Sequence, residues 1–234
     1  MIISVITTLY NYGKYIKDTI KSFLKQDFDD SEMIIVDDAS TDNPEKVISK
    51  YICDKIRYIK LEKNMGYSYA KNVGIKNAKA DIIVMLDADD MLTKHSLSIR
   101  YKKINKGYDF VHGPVLDLIN GHLSASKMWG RWLSDQSHIN VHAQGVMLKK
   151  DIHKKIGLYD ENMRCKSDRE MFARIFNYKF NIGCVKEYVA IYRSHAKQMH
   201  RSKNKLKNNK KLTEILFQTI ELRKKDLSGL PFLQ

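Results

Sequence analysis

The sequence is poor in the residues that build cross-linked or membrane-embedded folds. Its three cysteines, Cys53, Cys165 and Cys184, are widely spaced, and no Cys-x-x-Cys pair occurs. Neither a disulfide framework nor a cysteine zinc site follows from such spacing. Reduced thiols fit a cytoplasmic protein. Three prolines leave little room for a proline-rich linker. No apolar run approaches the roughly 20 residues that a membrane span needs. The first ten residues carry no basic flank, and Ser4, Thr7 and Thr8 interrupt their apolar stretch, so no signal peptide is expected. Internal repeats and low-complexity tracts are absent as well.

Acid is also in short supply. Lys and Arg number 41 against 27 Asp and Glu, a net charge of +14 in 234 residues. Such a surface attracts polyanions: nucleotides, nucleic acid, anionic lipid or teichoic-type polymers. Hydrophobic residues at 43% and aromatics at 10% describe a globular chain. The length suits one large domain, or one domain with a helical appendage.

The first half alternates short apolar runs with amphipathic segments. Ile2–Ile6, Met33–Val36, Arg57–Leu61 and Asp81–Leu86 read as strands. Between them, Lys14–Gln26, Asn43–Tyr51 and Tyr67–Asn77 read as helices, with Pro44 near the start of the second. That alternation predicts parallel βαβ units in a doubly wound sheet. The stretch from His112 to Gly145, with Trp129 and Trp132, has weak periodicity and reads as strands and loops over a pocket. Helices are expected at Asp168–Tyr178 and at Lys203–Asp226.

Ligands of such sheets bind outside the carboxyl ends of the strands. Three of those ends are polar or acidic here: Thr7-Thr8-Leu9-Tyr10-Asn11, Asp37-Asp38 and Asp87-Ala88-Asp89, with Asp90 following. Two carboxylates one residue apart can turn toward one hard cation, which commonly also holds substrate phosphates. In isolation an Asp-x-Asp is more often an acidic turn. Three strand ends of the same chemistry on one sheet edge argue for a site.

Five segments, in order and with matching spacing, carry a family resemblance. They are Ser4–Asn11, Ile35–Asp42, Asn64-Met65-Gly66 through Ala70-Lys71-Asn72-Val73-Gly74, Leu86–Asp90, and Ile156–Asp160 followed by Ser167-Asp168. Together they resemble family-2 glycosyltransferases, the inverting nucleotide-sugar enzymes of the glycosyltransferase-A fold, over about Ile3 to His195. The resemblance implies an α/β fold, a Rossmann-like, doubly wound, mainly parallel sheet with helices on both faces, plus a C-terminal helix. It divides the chain into a catalytic domain over 1–200 and a basic helical extension over 201–234. The nucleotide-binding half would run to about 110 and the acceptor half from 111 to 200.

The resemblance also implies roles. Thr7, Leu9 and Asn11 would lie against the base and ribose, Asp37 would accept a hydrogen bond from them, and Gly66 would open a loop close to the ligand. Lys71 stands where the family usually has arginine; it keeps the charge and loses the planar fork. Asp87 and Ala88 would border the nucleotide sugar. Asp89, Asp87 and His195 would hold Mn²⁺ or Mg²⁺, with Asp90 able to substitute for either aspartate. Asp168 matches the second position of the family's Glu-Asp motif and would be the general base, while Ser167 replaces the glutamate. A helix N-cap is the plain alternative for Asp168.

The implied reaction moves a sugar from a nucleotide-diphosphate donor, a UDP-sugar first, to a hydroxyl of a glycan, lipid-linked or polyanionic polymer acceptor. The basic run Arg201, Lys203, Lys205, Lys207, Lys210 and Lys211 reads as a solvated face, a peripheral contact with the inner membrane face, or a track for a polyanion. A nucleic-acid acceptor, or a non-catalytic nucleic-acid-binding protein, is the competing reading from charge alone. No aromatic-basic recognition motif supports it. A phosphatase-like role for Asp87 and Asp89 fails on Met91, which occupies the position of that motif's threonine or valine.

Overall fold

The structure, a computed structural model, describes residues 2–126, 141–163, 166–178, 180–196 and 198. Trp129, Trp132, Cys165, the basic run and the helix expected over 203–226 lie outside them.

The alternation in the sequence becomes β1 (Ile3–Leu9), α1 (Gly13–Leu24), β2 (Ser31–Asp37), α2 (Glu45–Ile48), β3 (Ile56–Lys60), α3 (Tyr67–Asn77) and β4 (Ile82–Asp87). A 3₁₀ turn, Ser49–Tyr51, continues α2, which Pro44 precedes as N-cap. Strands β1, β2, β3 and β4 pair in parallel, with β1 between β2 and β4. Every residue of β1 and β2 is buried, so the apolar runs within them do not alternate with exposed polar positions.

Successive side chains point to opposite faces, so the sheet sorts its residues into two cores. Ile3, Val5, Met33, Ile35, Val84 and Leu86 pack with Ile16, Ile20 and Phe23 of α1. Ile6, Ile34, Val36, Ile83 and Met85 pack on the other face with Ala70 and Ile75 of α3. Gly74 lets α3 lie directly on β1, because a Cβ there would sit 2.3 Å from Ile6 Cγ2.

After β4 come β5 (Met91–Leu92), α4 (Ser96–Ile104), β6 (Phe110–His112), β7 (Val115–Ile119), β8 (His122–Ala125), β9 (Val146–Lys149), α5 (Ile152–Ile156), α6 (Ser167–Asn177), β10 (Ile182–Cys184) and β11 (Ala190–Ser194). The main sheet has the order β10-β6-β9-β4-β1-β2-β3. Only β9 runs against its neighbours β4 and β6. Helix α6 joins the second core through Met171, Phe172 and Ile175, with Phe172 edge-on to Phe110 at 5.7 Å.

A second sheet, β5-β11-β7-β8, draws β7 and β8 from the stretch read as strands and loops, while β5 and β11 match no expected strand. Its antiparallel β5–β11 pair returns the chain to the acidic strand end: Ile191 lies opposite Met91. Arg193 N–H then donates to Asp90 Oδ1 at 2.8 Å. A segment 100 residues downstream of Asp90 is thereby fixed beside it.

Candidate active site

Strand register brings the three polar strand ends level. Leu9 pairs with Asp37, and Thr8 with Asp87. This sets a different residue toward the site than the sequence suggested. The first strand extends to Leu9 rather than ending at Ile6, so Leu9 points into the α1 core and is 1% exposed. Thr7 is fully buried, and its Oγ1 meets no hydrogen-bond partner among the described residues. Thr8 is the residue that faces the site, its Oγ1 lying 3.5 Å from Asp87 Oδ1. The Thr7 and Leu9 side chains are thus both packed inside the fold.

Asp37 and Asn11 hold loops. Asp37 is completely buried; Oδ1 accepts Ser40 N–H at 2.9 Å and Oδ2 accepts the Tyr58 hydroxyl at 2.5 Å. Asn11, in a left-handed conformation, accepts the Thr41 N–H at 2.8 Å through Oδ1. Its backbone N–H donates to Ser40 Oγ. Asp38 sets the next loop by accepting Met65 N–H at 2.7 Å and Gly66 N–H at 2.8 Å. Gly66 opens α3 at φ +99°, a conformation that only glycine adopts readily.

Asp87 ends β4 and collects three neutral donors. Tyr67 Oη donates to Oδ1 at 2.9 Å and Gln144 Nε2 to Oδ2 at 2.8 Å, beside the longer Thr8 contact. Tyr67 Oη also lies 3.3 Å from Asp168 Oδ2. One phenolic proton is therefore shared by two carboxylates from different elements. Asp168 Oδ1 is ion-paired with Lys71 Nζ, and Lys71 is 1% exposed. Its ammonium sits 4.1 Å from the Tyr67 ring centroid and 4.9 Å from that of Tyr159, a cation–π arrangement.

Asp168 lies in the first turn of α6; the N-cap is Lys166, in a left-handed conformation. The N-cap position considered for Asp168 is thus held by Lys166, which makes no side-chain capping hydrogen bond. Arg174, one and a half turns on, pairs with Glu170 inside the core and donates to the carbonyls of Ile156 and Leu158. Asn72 exchanges two hydrogen bonds with the backbone of Tyr159. These bonds fix the loop that carries Tyr159 over Lys71.

The acidic triplet proper is anchored from both sides. Ala88 carbonyl accepts the Thr19 hydroxyl at 2.8 Å. Asp89 Oδ2 is 2.9 Å from His195 Nε2, whose ring stacks at 4.6 Å on Tyr15 with Tyr12 edge-on. Arg193 is not free for a phosphate: it donates to Asp89 carbonyl and to Asp18. Asp90 is fully buried, with Oδ1 accepting the Arg193 N–H of β11.

Burial pushes the Asp87 carboxyl up to about 6, the Lys71 charge opposing and the Asp168 and Asp89 charges reinforcing the shift. Burial likewise brings Asp89 to about 6 and raises Asp90 well above the usual range. Crowded, buried carboxylates of this kind are what a divalent cation relieves. Among the described residues no group of three or more His, Cys, Asp or Glu side chains is arranged to enclose a metal. Asp89 with His195 offers one oxygen and one nitrogen, a donor set that fits a cation completed by diphosphate oxygens.

Tyr67, Gln144 and Thr8 are the site residues that the sequence did not single out. Tyr67 was legible in principle, four residues before Lys71 on one helix and so on the same face. Gln144 sits in a segment without periodicity, and nothing local marks it.

A mainly parallel sheet with acidic strand ends converging on one edge is an α/β architecture of the glycosyltransferase-A type. The chain belongs to glycosyl transferase family 2, whose model matches residues 4–158. It is 40% identical over 98 residues to the putative teichuronic acid biosynthesis glycosyltransferase TuaG of Bacillus subtilis, covering 41% of this chain and 39% of that one. Over 142 residues it is 34% identical to the GalNAc(5)-diNAcBac-PP-undecaprenol beta-1,3-glucosyltransferase of Campylobacter jejuni, covering 59% and 45%. The chain thus spans less than half the length of these relatives. The fold matches S. aureus TarS 1–349 in complex with UDP-GlcNAc at a TM-score of 0.73, with 23% identity, over 87% of this chain and 61% of that one.

Proposed function

We propose that this chain is the catalytic domain of a metal-dependent, inverting glycosyltransferase that uses a UDP-sugar and transfers to a hydroxyl of a lipid-linked or polymer acceptor. One observation carries the reading: Asp168 shares the Tyr67 hydroxyl with Asp87, so a candidate base lies beside the acidic end of β4. Inversion needs a carboxylate opposite the leaving group to take the acceptor's proton. Asp168 Oδ2 would accept it, with Lys71 holding the other carboxylate oxygen and balancing its charge.

Asp89 and His195 would hold Mn²⁺ or Mg²⁺, which when bound supplies charge stabilisation to the departing diphosphate. Asp87 would orient the donor's sugar or ribose from the strand end. TarS in complex with UDP-GlcNAc and the undecaprenol-linked acceptor named for the Campylobacter enzyme support the donor and acceptor classes. No helix among the described residues is long and apolar enough to cross a membrane.

Thermal stabilisation by nucleoside diphosphates with and without Mn²⁺ tests this directly, because only a ligand of the folded state raises its stability. UDP should give a Mn²⁺-dependent shift that ADP and GDP do not. Equal shifts with all three, or none with any, would overturn the donor assignment.

A further inference from the structure

We infer that Tyr67 is a positioning residue for transfer, its hydroxyl and ring fixing Asp168 in place of the glutamate that Ser167 replaces. The inference rests on Asp168 being the base, as proposed above. Ser167 is 1% exposed, and its Oγ finds no partner among the described residues, so it gives its neighbour no hydrogen bond. Support for Asp168 comes instead from α3, across the site.

The geometry divides that support between the two carboxylate oxygens. Lys71 Nζ takes Oδ1 and Tyr67 Oη takes Oδ2. A lysine can do this where an arginine would not. Its compact ammonium engages one oxygen, whereas a planar guanidinium tends to claim both. The remaining oxygen is thereby left to a donor that can yield, since the Tyr67 proton has an alternative acceptor in Asp87 Oδ1 at 2.9 Å. As Asp168 takes up the acceptor's proton, the Tyr67 hydroxyl can remain with Asp87 and no buried group is orphaned.

The ring has its own part. Tyr67 and Tyr159 flank the Lys71 ammonium at 4.1 and 4.9 Å. Three contacts, two π faces and one carboxylate, therefore fix a side chain that would otherwise be flexible. The Tyr159 backbone is held in turn by both atoms of the Asn72 side-chain amide, Nδ2 donating to its carbonyl and Oδ1 accepting its N–H. The Tyr67–Lys71 pair lies at i, i+4 on α3, which makes the two side chains neighbours on one helix face.

Tyr67→Phe keeps the ring over Lys71 and removes the hydroxyl alone. We expect kcat for transfer to fall about 10- to 100-fold, the scale of a displaced catalytic group. UDP-sugar affinity, measured by calorimetry, and the melting temperature should remain at wild-type values. The second arm is a double-mutant cycle. In an Asp168→Asn background, Tyr67→Phe should have no further effect on residual transfer, because residues acting as one unit are non-additive.

Wild-type kcat in Tyr67→Phe overturns the inference. So does a loss confined to donor affinity, which would make Tyr67 a donor-side support of Asp87, and so does an additive cycle. Full activity in Asp168→Asn alone would instead remove the base assignment, a separate failure. If the phenylalanine variant melts early, transfer is measured well below its melting temperature, where a kcat at the wild-type value overturns the inference.

Discussion

His195 Nε2 lies 2.9 Å from Asp89 Oδ2, although 105 residues separate them in the chain beyond Asp89 itself. The contact exists because β11 pairs antiparallel with β5, which begins two residues after Asp89. Tyr12 and Tyr15 of the α1 entrance hold the imidazole against the carboxylate. An imidazole and a carboxylate oxygen at that separation can ligate one cation or pair with each other. The two readings part on metal dependence.

Asp89→Ala should abolish the Mn²⁺-dependent part of donor-induced thermal stabilisation, and His195→Ala should weaken it. Outer-shell and ligand changes at metal sites typically cost about 10- to 100-fold in affinity. Titration of Mn²⁺ against each variant in the presence of UDP reads the effect. A His195→Ala variant with wild-type Mn²⁺ response would confine that histidine to holding Asp89.

Asp168→Asn should stop transfer while leaving donor binding intact. General-base loss is worth about 10²- to 10⁴-fold in rate, and the amide keeps the shape of the side chain. Single-turnover transfer beside UDP-sugar calorimetry separates the two quantities. Normal transfer would falsify the assignment of the base.

Glu170→Leu should destabilise the domain by about 3–5 kcal/mol, since it leaves the buried Arg174 guanidinium without its carboxylate. The pair is almost wholly buried, with side chains 6% and 0% exposed. Arg174 also ties Ile156 and Leu158, so the loop carrying Tyr159 should loosen. Chemical denaturation gives the first effect, and hydrogen exchange over residues 156–160 gives the second.

Acid should unfold the protein partly through His112 and His153. Burial holds both near 4, while the unfolded chain titrates near 6.5. Between those values the unfolded state binds more protons, so the stability from these neutral imidazoles is complete above about 6.5 and declines as the pH falls toward 4. The raised carboxyls of Asp87 and Asp89 act in the opposite direction over a similar range. The difference between wild type and His153→Gln isolates the imidazole. Relative to wild type, the variant should gain stability steadily from pH 7 to pH 4.5. A difference independent of pH would show that His153 does not titrate differently on folding.

Gly74→Ala should cost about 1–3 kcal/mol or more, the range for overpacking a core. Its Cβ would meet Ile6 Cγ2 at 2.3 Å. An Ile6→Ala/Gly74→Ala double variant removes the clashing Cγ2 methyl and should cost less than the sum of the two single changes.

The local pattern of this sequence determined the doubly wound half of the fold. Continuous apolar runs such as Ile82–Leu86 can be satisfied only in a strand covered on both faces. Helical periodicity then supplies the covers: Ile16, Ile20 and Phe23 for one face, Ala70 and Ile75 for the other. The acidic end of β4 and its neighbours at Asp37 and Asp168 were equally legible, because their chemistry is written in residue type and spacing.

Tertiary structure decided which atoms face the site. A strand's side chains alternate, so extending β1 to Leu9 exchanges Thr7 for Thr8 at the pocket, and the end of an apolar run does not reveal that choice. The same holds for Asp37, whose carboxylate could read a ligand or hold a turn until Tyr58 and Ser40 were placed around it. Contacts between distant segments, Tyr67 with Asp168 and Asp89 with His195, depend on how α6 and β11 dock against the first sheet. No local propensity encodes a docking across 100 residues; burial and charge pairing in the assembled fold select it.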